Sequence, residues 1–182
     1  ACPVLVPELE AELAVLASKV STAHAGVPET REWELAAGSD HRVRTTVLGE
    51  HEIAPSLQDA RIEIEVGGAL IGISPGGFAQ GNPFLFEVLY SLVAEALSGG
   101  PGEELLELYA GAGFFTVGLA RQFKRVVAVE SDRTATGDLK RNLAGAGLGG
   151  GGVRTARVET VPSHLAKSRD SKPEPASAQR GV

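Results

Sequence analysis

With 182 residues and 43% apolar content, the chain suits one domain, or one and a small fraction, and can bury a packed core. A net charge of −6 argues against a nucleic-acid grip spread over the whole surface, so an RNA contact needs a local basic patch or a segment outside this chain. The single cysteine, Cys2, excludes an internal disulfide, no apolar run reaches bilayer length and no signal peptide is visible, which makes a cytoplasmic protein the expectation.

Residues 1–20 read as a short lead-in followed by a helix, with Pro7 in the first turn and Leu9, Leu13 and Leu16 on one face. Simple packing accounts for it. Residues 21–29 are turn formers, and His24 among them reads as a solvated loop histidine. From Arg31 the period changes to two. Trp33 and Leu35 alternate with Glu32 and Glu34, and after Gly38-Ser39-Asp40 the run Val43 to Val47 alternates again, which predicts a hairpin. Ile62, Ile64 and Val66, then Gly67-Gly68, then Leu70 to Ile73 predict a second, with the glycine pair as a two-residue turn. Residues 30–74 are therefore expected to form one small antiparallel sheet. The spacing of His41 and His51 to each other and to acids resembles no metal site, so no metal is expected.

The run Ser74-Pro75-Gly76-Gly77-Phe78-Ala79-Gln80-Gly81-Asn82-Pro83 predicts a rigid turn just ahead of an apolar helix over 83–97. Asn82 stands at the N-cap and Pro83 at the first helical position. Taken blandly, Phe78 is core, Gln80 is loop surface and Asn82 is only a cap.

The centre of the chain is Leu105 to Glu130, LLELYAGAGFFTVGLARQFKRVVAVE. A buried strand with Leu105, Leu106, Leu108 and Tyr109 leads into the loop Ala110-Gly111-Ala112-Gly113. A helix from about Phe114 to Phe123 and a second buried strand, Val126 to Val129, follow, and Glu130 ends the unit. This is a βαβ nucleotide-binding half. Its glycines let backbone approach a ligand where a Cβ would collide, and the helix N-terminus adds free N–H groups. The terminal carboxylate can accept from both hydroxyls of a ribose, which points to an adenosine-bearing cofactor. The dinucleotide fingerprint G-x-G-x-x-G is met at Gly111 and Gly113, but Thr116 takes the third place. Glu107, just before the loop, suits a cofactor with a cationic amino-acid end and suits a pyrophosphate poorly. S-adenosyl-L-methionine has that end and NAD does not. A glycine turn and an exposed Glu that bind nothing remain the bland alternative.

Asp132 can cap a helix running to about Leu143, which Gly145 and Gly147 to Gly152 break. Val153 to Val158 alternates as a third sheet strand with Glu159 at its end, and past Val161 a polar tail is expected to be mobile.

F-A-Q-G-N from Phe78, the helix after it, L-E-L-Y-A-G-A-G from Leu106 and V-V-A-V-E ending at Glu130 resemble the RNA (uracil-5-)-methyltransferases, which act on uridines in ribosomal and transfer RNA. The opening C-P-V-L and its helix are similar to the start of that family's central region, so the resemblance runs from Cys2 to about Val161. Generic methyltransferases share the glycine loop, but not Phe-x-Gln-x-Asn one helix upstream of it. The implied fold is α/β, a Rossmann-like class I methyltransferase core with an incomplete sheet, preceded by a helix and a small antiparallel β region. Three parts are expected: 1–74, a donor-binding part over 75–161, and the tail 162–182.

The resemblance also implies roles. Gln80 would touch S-adenosyl-L-methionine, Tyr109 and the Gly111 to Gly113 backbone would line its amino-acid and ribose portion, and Glu130 would hold the ribose hydroxyls. Glu159 falls near the position that approaches the adenine, although the family's usual residue there is different. Phe114 replaces a polar residue common after the loop, which puts one donor contact in doubt, and Asn142 matches a helix Asn that reads as structural. In some members the counterpart of Cys2 is the last of four iron–sulfur ligands; a single thiol supports no cluster.

In the family, a cysteine thiolate adds to C6 of the uracil, making C5 nucleophilic, and a carboxylate helps remove the C5 proton. The base must also be unstacked and held in a pocket. Both catalytic groups lie downstream of a D-P-P motif after the third strand. This sequence ends before such a motif, Cys2 lies at the wrong end, and no methionine stands even at position 1. The chain is thus expected to be the donor-binding portion of a uracil-5 methyltransferase, inactive alone and without a catalytic residue of its own. RNA, ribosomal or transfer, is reached through the full-length enzyme, a monomer with no membrane partner. Two alternatives stay open: a methyltransferase for another substrate, and a truncated protein that binds S-adenosyl-L-methionine or RNA without catalysis.

Overall fold

The structure, a computed structural model, describes residues 5–23, 32–48, 61–98, 104–149 and 152–161. Cys2, His24, His51 and the tail beyond 161 lie outside the described residues.

Helix α1 (Pro7–Ala23) begins at the expected proline, with Glu8 and Glu10 in its first turn where the helix dipole favours acids. It packs on the first hairpin, β1 (Glu32–Ala37) and β2 (Val43–Leu48), and leaves Leu13 exposed. Strands β1 and β2 pair antiparallel with Trp33 opposite Val47 and Leu35 opposite Thr45. The second hairpin is β3 (Ile62–Val66) and β4 (Ala69–Ile73), and both turn glycines take positive φ, 58° at Gly67 and 67° at Gly68. That is the pattern of a type I′ turn.

The four strands form two separate two-stranded sheets, not the single sheet expected. The turn of the first hairpin, rather than a strand, meets β3. Ser39 N–H donates to Glu63 O at 2.7 Å, and Ser39 Oγ accepts from Glu65 N–H at 2.9 Å. A Cβ on Gly38 would lie 2.8 Å from Glu63 O, so this crossing needs its glycine. Strand β3 turns Ile62, Ile64 and Val66 inward, and with Ile71 and Ile73 of β4 they share one core with the α/β part.

Asn82 Oδ1 accepts from Phe84 N–H at 3.1 Å, so Asn82 is the cap expected, but of a 3₁₀ turn (Pro83–Leu85) that leads into α2 (Phe86–Ala96). The parallel sheet runs in the order β5 (Glu104–Leu108), β6 (Arg125–Glu130), β7 (Val153–Thr155). Of β5's apolar residues only Leu105 is buried, while Leu106 and Leu108 remain exposed. An end position in the sheet order explains the departure from a fully buried strand. Strand β7 is shorter than the alternation suggested. Ala156 N–H donates to Glu130 O at 2.9 Å, the last residue of β6, and beyond it β6 offers nothing to pair with. Val158–Thr160 turn as a 3₁₀ helix and leave Glu159 exposed.

The helix between β5 and β6 is also shorter than expected: α3 (Thr116–Leu119) and one 3₁₀ turn (Ala120–Gln122). Glycine at 118 weakens a longer helix, and Tyr90 of α2 occupies the space a Cβ there would need, its Oη 2.6 Å away. Helix α4 (Arg133–Gly145) starts at Asp132, whose Oδ1 accepts from Ala135 N–H at 2.7 Å. It ends with Gly147 at φ 75° and a Leu148 N–H to Leu143 O bond of 2.8 Å, a Schellman stop.

Candidate functional site

The loop between β5 and α3 is set by backbone conformation. Tyr109 takes φ 58°, uncommon for a residue with a Cβ, and its side chain is 73% exposed. Ala110 N–H then donates to Val129 O at 3.0 Å, keeping the loop fastened to β6. Two glycines follow for different reasons. Gly111, at φ 55°, has nothing within 4 Å of a hypothetical Cβ and so faces open space. Gly113, at φ 98°, would set a Cβ 2.4 Å from Leu139 of α4, so it permits close packing.

Glu130 closes the other side. Its Oε2 accepts from Gly111 N–H at 3.0 Å, and its Oε1 accepts from Ser131 N–H at 2.7 Å and Asp132 N–H at 2.8 Å. Partial burial alone would raise this carboxyl, but the N–H groups of Asp132, Gly111 and Ser131 outweigh it and hold the group below its ordinary range. An ionised acid tied to the loop therefore stands at the tip of β6. A carboxylate has about four acceptor directions, so Oε2, with Gly111 N–H as its one donor among the described residues, keeps capacity for a hydroxyl.

Glu107 behaves differently. Burial pushes its carboxyl up to about 7, partly opposed by the Thr116 hydroxyl that donates to it. Thr116, at the third place of the dinucleotide fingerprint, is completely buried and serves that acid. Phe114 packs edge-on against Phe86 and Phe115, at centroid distances of 5.4 and 4.9 Å, and so fills an aromatic cluster instead of offering a polar contact.

The structure brings Tyr109, Gly111, Gly113 and Glu130 together at the carboxyl ends of β5 and β6, where open α/β sheets bind their ligands. Gln80 stands on a different connection, the one after β4. It is half-buried and lines an apolar cavity of about 680 Å³ between the start of α1, the two hairpins and the 74–84 loop. Phe78 and Phe84 line the same cavity and are 77% and 83% exposed, so Phe78 is not core. Phe86 also lines it while packing on Phe114, which is where cavity and glycine loop meet. Among the described residues no three His, Cys, Asp or Glu side chains are grouped to hold a metal.

One residue of consequence was not singled out from sequence: Asp138, wholly buried on α4 and bonded to Ser74. The available signal was its spacing of four from Asn142, two polar residues on a face that also carries Leu139 and Leu143.

A model of the tRNA (uracil-5-)-methyltransferase family matches residues 69–159, from β4 through the glycine loop and α4 to Glu159. The chain belongs to this family. Among curated relatives, a tRNA/tmRNA (uracil-C(5))-methyltransferase of Neisseria meningitidis is 36% identical over 83 residues, 46% of this chain and 22% of the relative. A 23S rRNA (uracil(1939)-C(5))-methyltransferase of Shewanella amazonensis is 32% identical over 127 residues, 62% of this chain and 28% of the relative. The chain thus spans less than a third of these relatives' length. In structure it resembles the tRNA (uracil-54, C5)-methyltransferase of Pyrococcus abyssi, solved with S-adenosyl-L-homocysteine, at TM-score 0.64 and 18% identity over 86% of this chain and 48% of that one. At that identity the likeness establishes the fold, a class I methyltransferase core.

Proposed function

We propose that this chain is the methyl-donor-binding part of an RNA uracil-C5 methyltransferase, without that enzyme's catalytic cysteine. The observation that carries the reading is Glu130, ionised and held by Gly111, Ser131 and Asp132 N–H groups beside a glycine loop that faces open space. In this reading Glu130 accepts from the ribose hydroxyls of S-adenosyl-L-methionine. The Gly111 to Gly113 backbone and Tyr109 line its ribose and amino-acid portion, and Gln80 meets it from the cavity side. Bound there, the cofactor supplies an electrophilic methyl group carried on a sulfonium. The chain's own residues bind and orient; none of the described ones is assigned a bond-making role.

The substrate of the full-length enzyme is then a uridine in transfer or ribosomal RNA, as in the names of the relatives. We take that enzyme as a cytoplasmic monomer, with RNA as the partner of its full-length form. Among the described residues no helix is long and apolar enough to cross a membrane. Residues 1–74 form the lead-in region of the proposed arrangement and 162–182 its tail.

Calorimetric titration of S-adenosyl-L-homocysteine into the chain tests the donor site. Saturable binding that weakens at least tenfold in Glu130→Ala is expected. A well-folded sample that shows no heat of binding would refute the assignment. Incubated with tritiated donor and transfer RNA, the purified chain is expected to form no 5-methyluridine, and any turnover would sink the proposed lack of a catalytic cysteine.

A further inference from the structure

Gln80 and the glycine loop stand on two different connections, one after β4 and one after β5. A single face of α4 reaches both. Asp138 accepts twice from Ser74, through Oδ2 from its N–H and through Oδ1 from its hydroxyl, each at 2.8 Å. Arg141 Nη2 also donates to Asp138 Oδ1. One turn on, Asn142 Oδ1 accepts from Gly72 N–H at 3.0 Å, and its Nδ2 donates to Gly72 O and to Ala112 O, both at 2.9 Å. Ala112 is the residue between the two loop glycines. Between these polar residues, Leu139 fills the space that a Cβ on Gly113 would take.

Asn142 is 7% exposed, and it uses its acceptor and both amide hydrogens on backbone of two segments that are remote in sequence. No hydrophobic residue can do this, and aspartate can supply only the acceptor. A polar network this deep in the core fixes one arrangement of the groups it joins.

We infer that Asp138 and Asn142 are positioning residues, which set the register of the Gln80 loop against the glycine loop and through it the affinity of the donor site. The inference rests on the donor-binding reading above. Asp138 holds the start of the 74–82 segment, and Asn142 holds the end of β4 and the centre of the glycine loop at once. Their effect on a ligand is carried by loop placement, not by contact.

A core residue with no positioning role lowers stability and leaves the affinity of the folded molecule alone. Leu143, 4% exposed on the same helix, supplies that control. The experiment compares wild type, Asn142→Ala, Asp138→Asn and Leu143→Ala at a temperature where urea curves show each more than about 95% folded. Titration with S-adenosyl-L-homocysteine is read beside amide ¹H–¹⁵N shifts of 72–82 and 110–113. Leu143→Ala is expected to keep affinity within about twofold despite a lower urea midpoint. Asn142→Ala is expected to lose about tenfold or more and to shift amides in both loops, and Asp138→Asn to shift chiefly 74–82. Equal affinity losses in Asn142→Ala and Leu143→Ala, or shifts confined to α4, would overturn the inference. Ser74→Ala removes one hydroxyl and spares the core, so it decides the matter if Asn142→Ala does not fold. It should displace the Gln80 amide and weaken binding about threefold, and an unmoved 74–82 segment counts against us. If wild type binds no ligand, the donor reading fails, while the amide shifts still decide whether α4 registers the two loops.

Discussion

Replacing Glu107 with glutamine should make the protein more stable at alkaline pH and leave it unchanged in acid. Burial raises the Glu107 carboxyl from an ordinary 4.5 to about 7, and the Thr116 hydroxyl recovers only part of the cost of charging it. Between those two values the folded chain holds a proton that the unfolded chain has released. Stability therefore falls as pH rises through this window, the reverse of the usual carboxylate case. Each pH unit of that window is worth about 1.4 kcal/mol, so the full penalty above pH 7 is roughly 3 kcal/mol. The residue as a whole is only half-buried, so nearby water screens part of the charge and about 2 kcal/mol is the working figure. Glutamine keeps the oxygen that accepts from Thr116 and cannot ionise. Urea denaturation at pH 5, 6, 7 and 8, with a common slope for both proteins, should show the Glu107→Gln advantage growing from about 0.5 kcal/mol at pH 5 to about 2 kcal/mol at pH 8. A difference that does not change with pH, or a glutamine variant less stable at pH 8, would refute the buried ionisation.

Three further outcomes follow from the same geometry. Gly118→Ala should cost about 1–3 kcal/mol of unfolding free energy and lower the urea midpoint, because the new Cβ would meet the Tyr90 ring and Oη at 2.6–2.8 Å; an unchanged midpoint would mean that Tyr90 is free to swing away. Gly152→Ala should be worse, since its Cβ would fall 1.7 Å from Val126 O and only a shift of β6 or β7 backbone can relieve it. Loss of cooperative unfolding in circular dichroism is the expected sign, and a wild-type melt would contradict the strand placement. For Glu130, held low by N–H donors, the stability lost in Glu130→Gln should be fully visible at neutral pH and shrink as pH falls below 4.5, where the wild-type carboxylate takes up its proton. A deficit that does not shrink as pH falls would mean that the carboxylate charge is not what those donors hold.

Much of this was legible in the chain because it is local. A glycine pair between two alternating runs fixes a hairpin, an Asp or Asn ahead of a helix fixes its first turn, and a strand ending in Glu130 beside a glycine loop fixes where the acid stands. Alternation says which face of a strand is inward but not which strand lies beside which, so one sheet was expected where two hairpins formed. The length of β7 depends on where β6 stops, and the space beside Gly118 of α3 is taken by Tyr90, neither of which is written in the element's own residues. Asp138 is the clearest case. A charged residue on a helix reads as a solvated one, and the partner that satisfies it in the core is a serine 64 positions earlier. Gln80 and the glycine loop likewise stand on connections after different strands, β4 and β5, which is why Gln80 could be named but not located.

Glu130 has a thermodynamic consequence that its geometry alone does not display. A free glutamate side chain has about 1.5–2 kcal/mol of rotamer entropy to lose, and here the N–H groups of Gly111, Ser131 and Asp132 remove it during folding. A ligand arriving at that carboxylate finds no disorder left to suppress, so its intrinsic affinity belongs wholly to the folded population. When a remote substitution leaves only about a tenth of the molecules folded, the apparent Kd weakens about tenfold with every contact at the site intact. For this chain a binding constant is also a folding measurement.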